Sequence, residues 1–386
     1  MVIVIFMNGL FLNGLKAQQT VVDSSVLDRI TELEKQTSYN KPGLDHFMVV
    51  GLATVGFASI KNTTTISGVS SVSKTNSFPD ADHFEFSPML LWRHGDKFLL
   101  EFEPSFSGGS LGVNWADVSY FAAPNLIFRA GYLVLPFGTY SKRLAAGWID
   151  KLPTDPMGIA DMAPTDYGVE VEGGLPLGSM KMSYDIALSN GNQLMPDGTL
   201  GSGNITDNNN NKTVTARLAL LPFSNSSLEL GVSGMFEKVG DASTSPTAKG
   251  NSYAFDLNYV KLFNPILLNI KSQYNIQDIM SNVAQVDSLP YTSNTHATAF
   301  FAQASIRPVG ASGFVKNLEL AGRYTTYNNP AGSNGLTQNA VTVGLDYWLN
   351  WRTVFKVGYE SYTGNINAAS TSNKINSFFL QFSIQL

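Results

Sequence analysis

Cysteine is absent from the 386 residues, charged residues make up only 14%, and no apolar run beyond residue 15 is long enough to cross a bilayer as a helix. Each lack removes a class of protein. Without cysteine there are no disulfide scaffolds, thiol nucleophiles or thiolate-held zinc. A soluble surface normally draws on about 25% charged residues, so water is not the only solvent this surface meets. The net charge of -5 gives no electrostatic footprint for nucleic acid. What is present is a chain 44% hydrophobic and 11% aromatic, with 34 glycines and a mean hydropathy of zero. Its apolar residues are spread, not blocked, which leaves a transmembrane β-barrel or a large soluble β-protein.

Residues 1–17 read as a secretory signal peptide, an apolar stretch ending in Leu15-Lys16-Ala17 before a polar sequence. Residues 18–44 form a short segment in which Ser25 can cap a helix and Val22, Val26, Ile30 and Leu33 recur at helical spacing. From residue 45 the period changes to two. In 179–188, Met180, Met182, Tyr184, Ile186 and Leu188 share one face, while Lys181, Ser183 and Asp185 share the other. This is the apolar-out, polar-in pattern of a barrel strand.

The connections decide between sandwich and barrel. Tight turns at His94, Pro124, Gly178, Asn225, Asn264, 308–316 and Trp351 alternate with longer polar excursions at 61–80, 107–112, 136–165, 191–211, 240–251, 278–295, 328–337 and 364–374. Strand ends therefore lie on two unlike sides, as in outer-membrane barrels with short periplasmic turns and longer extracellular loops. The expected fold is an all-β, antiparallel transmembrane barrel of about sixteen strands, formed by residues 45–386. An even strand number returns both termini to the turn side. Trp92, Phe223, Phe263, Tyr347 and Trp351 lie close to tight turns, where an interfacial aromatic girdle belongs. A barrel of this size has a lumen too wide for side chains alone to fill.

Residues 128–171 are the most distinctive stretch. A strand containing Arg129-Ala130-Gly131 runs into Pro136-Phe137-Gly138, a charged excursion follows, and the next strand resumes at Asp166-Tyr167-Gly168. In these features and in the short helix before the first strand, the chain resembles the Gram-negative porins, and especially the superfamily of the phosphate-selective porins O and P. The resemblance implies that the third long loop, 136–165, folds inward and places Lys142, Arg143, Asp150, Lys151, Asp155 and Asp161 at a constriction. It also implies a homotrimer in the outer membrane, in contact with lipid and with small hydrophilic solutes or ions.

Alternation puts Arg93, Arg129, Lys181, Arg217, Lys271, Arg307, Arg323, Arg352 and Lys356 on the lumen side. Against them stand Glu85, Glu101, Glu103, Asp117, Glu170, Glu172, Asp185, Glu229, Asp256, Glu319, Asp346 and Glu360. That lining is mixed and slightly acidic, so phosphate specificity is not inferred; Arg129 and Arg217, if unpaired, are the best anion contacts. The four histidines, His46, His83, His94 and His296, lie at strand ends or loops, and no nucleophile elbow or zinc-protease motif is present. An enzyme, a cofactor and a metal centre are not expected; the 207–211 run of Asp and Asn reads as a solvated loop tip. The expected function is passive diffusion through a water-filled channel. The alternative is a non-conducting barrel acting as an adhesin or binding protein through its extracellular loops.

Overall fold

The computed structural model describes residues 45–78, 84–162, 164–195, 200–203, 205–242, 248–280, 294–329, 336–367 and 371–386. The expected leader and helix within 1–44 lie outside the described residues. In chain order the strands are β1 (His46–Ile66), β2 (Val69–Ser77), β3 (Glu85–His94), β4 (Phe98–Ser107), β5 (Ser110–Ala123), β6 (Leu126–Val134), β7 (Thr165–Leu177) and β8 (Met180–Ser189). A two-residue pair, β9 (Gln193–Leu194) and β10 (Leu200–Gly201), decorates the following loop. The remainder are β11 (Thr213–Leu221), β12 (Leu228–Lys238), β13 (Lys249–Phe263), β14 (Ile266–Met280), β15 (Asn294–Arg307), β16 (Leu318–Asn329), β17 (Leu336–Asn350), β18 (Thr353–Asn367) and β19 (Thr371–Gln385).

The barrel strands pair antiparallel with their neighbours in chain order, β8 with β11 across the β9–β10 pair, and β19 closes the sheet on β1 from Leu52↔Gln385 to Ile66↔Thr371. β2 and β3 are two halves of one barrel strand, since both pair with β1, β2 along Ala58–Ile66 and β3 along His46–Thr54. With those halves merged and the β9–β10 pair set aside, the barrel has sixteen strands. Closure leaves no open edge, which hydrocarbon would penalise by several kcal/mol for each unpaired backbone group.

Alternation sorts the faces as the sequence suggests. Val169, Ile186, Leu188, Leu218, Val232, Phe255, Leu320, Val341 and Val343 are exposed on the outer face. Their neighbours Glu170, Ala187, Arg217, Ser233, Asp256, Glu319 and Thr342 are buried on the inner one. At the turn end, Trp92, Phe223, Phe263 and Trp351 are exposed, and Phe314 of the one-turn helix Gly313–Asn317 stacks on Tyr347 at 4.6 Å.

Two expected loops are strands instead. Within the 61–80 excursion, residues 61–77 are the top of a tall hairpin whose two-residue turn, Ser67-Gly68, takes positive φ at both residues, the conformation that matches strand twist. The 107–112 excursion is a hairpin turning at Gly108-Gly109, with Ser107 opposite Ser110. Serine and threonine runs read as loop by composition, but their β-branched members and paired neighbours extend the sheet.

Candidate functional site

Between β6 and β7 the chain turns into the barrel. Gly138 makes the turn possible: its φ is +67°, and a Cβ there would stand 2.1 Å from the Gln273 side chain. Past it lies a π-helical turn, Tyr140–Leu144. The Gly138 N–H donates to Ser233 Oγ at 3.0 Å, and the Thr139 and Tyr140 N–H groups both donate to Gln273 Oε1, at 2.9 and 3.0 Å. A loop buried in a lumen must satisfy its own backbone, and wall side chains supply the partners here.

The seat is apolar as well as polar. Leu135, Phe137, Tyr140, Leu144, Ile159 and Met162 of the inward segment pack with Ala187, Met235, Ala254, Ala297, Ala299 and Phe301 of the wall in one buried cluster. Burying a side chain such as Phe137 or Phe301 stabilises by roughly 1.5–3 kcal/mol. Small inward residues make the room. Around the ring, a Cβ on Gly344 would lie 2.8 Å from Leu152, and one on Gly358 would lie 2.5 Å from Pro153.

Asp150 is the centre of the attachment, with 2% of its surface exposed. Its carboxylate accepts hydrogen bonds from Tyr140 Oη at 2.7 Å, Gln303 Nε2 at 3.0 Å and Arg323 Nη1 at 3.3 Å. Burial pushes its pKa up, but Arg323, Lys271 and Lys356 outweigh burial and hold it below the ordinary carboxylate range. Burial, with Asp150 and Asp155 beside it, pushes the Tyr140 hydroxyl well above its ordinary value. The neighbouring main chain is held too: Lys271 Nζ donates to the Ile149 carbonyl at 2.7 Å, and Lys356 Nζ to the carbonyls of Asp150 and Leu152 at 2.8 and 3.2 Å. Thr154 Oγ1 accepts from Arg323 Nη2 and donates to Glu360.

On the opposite wall the charges meet differently. Arg129 faces Asp117 at 2.7 Å, Glu101 at 3.2 Å, Glu172 at 3.7 Å and Glu170 at 3.8 Å. Lys142 reaches back to Glu170, to Glu172 at 3.1 Å and to Asp185 at 3.2 Å. Burial disfavours the Lys142 ammonium, but the three carboxylates reverse this and raise its pKa. Arg143 and Arg217 share Glu229, at 2.5 and 2.9 Å, and Arg217 also pairs with Asp256 at 2.6 Å.

Of the residues expected at a constriction, Lys142, Arg143, Asp150, Lys151 and Asp155 are brought inside the barrel and bonded there. Asp155 accepts from Tyr140 Oη, and Lys151 lies over the Trp348 ring at 4.5 Å and 3.9 Å from Glu319. Asp161 is exposed. Of those expected along the lumen, Arg129, Arg217, Lys271, Arg323 and Lys356 face inward, and each is engaged by carboxylates or carbonyls. Arg129 and Arg217 are therefore not the free anion contacts they would be if unpaired. Lys181 bonds Ser226 at the turn end, and Arg93 bonds the turn carbonyls of Gly95 and Asp96. Arg352 stands in the exposed turn between β17 and β18, over the Trp351 ring at 4.4 Å. Alternation fails for it because a turn has no period. The seat itself, Ser233, Gln273, Gln303 and the alanines, was not singled out from sequence. Its signal was there in the small inward residues on successive strands, which a lumen filled only by water does not require.

No family model matches the sequence, and no curated protein matches it. Among solved structures, the anion-selective porin from Comamonas acidovorans is similar, at 11% identity and a TM-score of 0.56 over 89% of this chain and 100% of that one. The outer membrane channel DcaP of Acinetobacter baumannii is similar at 11% identity and 0.54, over 90% and 100%. OmpT of Vibrio cholerae, an outer membrane protein, is similar at 10% identity and 0.50, over 90% and 99%. At such identities the likeness is one of architecture: the chain has the closed sixteen-stranded fold of outer-membrane porins and channels.

Proposed function

We propose that the protein is an outer-membrane porin, a water-filled channel for passive diffusion of small hydrophilic solutes or ions, with residues 136–165 as its constriction. The observation that carries this reading is the inward segment itself. It is fastened to polar side chains of β12, β14, β15, β16 and β18 inside a barrel whose outer face is apolar. A barrel built only to display loops has no need to route thirty residues through its interior. Export through the leader at 1–17 and assembly as a homotrimer belong to the same proposal, on the composition of the leader and the resemblance to porins. Solute class is not carried over from that resemblance, because the inward bases are matched by carboxylates.

The test is planar-bilayer recording. The purified protein should give stepwise, ohmic conductance, and replacing residues 136–165 by a short linker should raise the step several-fold. Correctly inserted protein that never conducts, with or without the segment, would sink the reading. An adhesin would be indifferent to the replacement at the level of the pore.

A further inference from the structure

At the loop end of the barrel, lysine faces lysine twice on the outer surface. Lys61 of β1 stands directly opposite Lys74 of β2, and Lys238 of β12 directly opposite Lys249 of β13. Lys374 of β19, opposite Thr63, adds a third ammonium one outward step above Lys61. Alternation places them outward: Lys61 is out of step with the buried Ala58, Lys374 is in step with the exposed Phe378, and Lys238 is in step with the exposed Val232 and Phe236. All five lysines are exposed, and none forms an ion pair among the described residues. Like charges directly opposite on neighbouring strands destabilise their pairing. Cations of the turn end are placed otherwise, with Lys97, Lys261 and Arg352 each over an aromatic ring, those of Tyr120, Phe263 and Trp351.

Register gives the height of the lysines. Tyr359, Phe378 and Ser59 form one row across β18, β19 and β1, and Ser361, Asn376, Lys61 and Lys74 form the next outward row. Two residues of strand rise about 7 Å, so the first pair stands one step above an aromatic row of the apolar band. Beneath the second pair, the rings of Phe236 and Tyr253 meet edge to face at 5.8 Å. A lipid whose chains lie along these rings carries its headgroup at the level of the ammonium groups.

We propose that Lys61–Lys74, joined by Lys374, and Lys238–Lys249 are two binding sites for the phosphate of an anionic lipid in the loop-side leaflet. A phosphate set between two ammonium groups cancels their repulsion and accepts a charge-assisted hydrogen bond from each. The apolar surface that continues beneath each pair selects a lipid over free phosphate. The inference rests on the outer-membrane reading of the barrel, not on its conducting, and gives that barrel a lipid partner of stated chemistry.

The test is native mass spectrometry of the detergent-solubilised protein with dioleoyl phosphatidic acid, dioleoyl phosphatidylcholine or inorganic phosphate, alongside melting followed by heat-modifiable mobility in gels. Phosphatidic acid should stay bound and raise the melting temperature, whereas phosphatidylcholine and inorganic phosphate should do neither. Lys61→Gln with Lys74→Gln should lose the lipid at one pair, and Lys238→Gln with Lys249→Gln the lipid at the other. Because the lysines repel each other, each double variant should melt no lower than the parent without lipid, yet gain less from phosphatidic acid. Equal retention of the two lipids by the parent, or variants that hold as much phosphatidic acid as the parent, would overturn the sites. Stabilisation by inorganic phosphate equal to that by phosphatidic acid would overturn the lipid as their occupant. A barrel that binds phosphatidic acid at these lysines yet never conducts in planar bilayers upholds the sites while the porin reading falls.

Discussion

The two walls of the lumen are built by the same alternation and used in opposite ways. On β12 to β18, small residues, long donors and acids such as Glu319 face inward together and the segment from β6 lies against them, so that Lys271, Arg323 and Lys356 are 2%, 3% and 1% exposed. On β4 to β8, carboxylates crowd about Arg129 and Lys142, and two of them, Glu172 and Asp185, keep contact with solvent. Facing inward is therefore not the same as lining a path. A basic residue under the inward segment holds that segment in place, whereas Glu172 and Asp185 on the facing wall keep part of their surface in solvent.

The sharpest way to break the contrast is to remove the centre of the covered wall. Asp150→Ala leaves Arg323, Lys271 and Lys356 buried together without their carboxylate, a defect that typically costs about 3–5 kcal/mol. The expected outcome is a segment cut by protease between residues 140 and 160 and a larger conductance step, with the barrel still resistant to heat in detergent. Acid should do the same more gently. Because the native pKa of Asp150 is depressed, its contribution is complete above the ordinary carboxylate value of about 3.9 and is lost as pH falls through the lower native value. Conductance should therefore hold from neutrality to about pH 4 and rise only below it; a rise already complete at pH 6 would assign the anchoring to another group.

A smaller effect is expected from filling the seat. Gly358→Val sets branched carbon against Pro153, where even one Cβ would come within 2.5 Å, and overpacking of this kind costs about 1–3 kcal/mol. The segment should shift rather than detach, seen as altered step size without new protease sites. Tyr140→Phe removes one hydroxyl that stands within hydrogen-bond distance of both Asp150 and Asp155, worth roughly 1.5–3 kcal/mol for a bond to a charged group. Least is expected of Arg352→Ala, which loses one exposed stacking contact of about 0.5–1 kcal/mol and should leave reversal potential unchanged.

Much of the fold was legible because a barrel strand writes its two faces into alternate residues. Strand number, turn positions and the outward set of Ile186, Leu188 and Phe378 follow from period two and turn chemistry alone. The 136–165 segment stood out by its length and charge, while its inward course was implied only by the resemblance to porins. What alternation does not encode is company. Arg323 and Lys181 stand in the same alternation, yet one is held against the segment through Asp150 and Thr154 and the other bonds Ser226 at the turn end. Which carboxylate each base meets depends on contacts as distant in sequence as Arg323 and Asp150, and no local period carries that information. The alanines at 254, 297 and 299 were the available clue, since their smallness matters only if something large lies against them.

Lys271 and Lys356 grip carbonyl oxygens, not side chains, at Ile149, Asp150 and Leu152. Every residue type supplies the same carbonyl. A wall that holds main-chain atoms fixes the course of the inward segment at those three positions whatever side chains they carry. At those carbonyls the barrel acts as a chassis, setting the outline of the segment independently of the residues written on it.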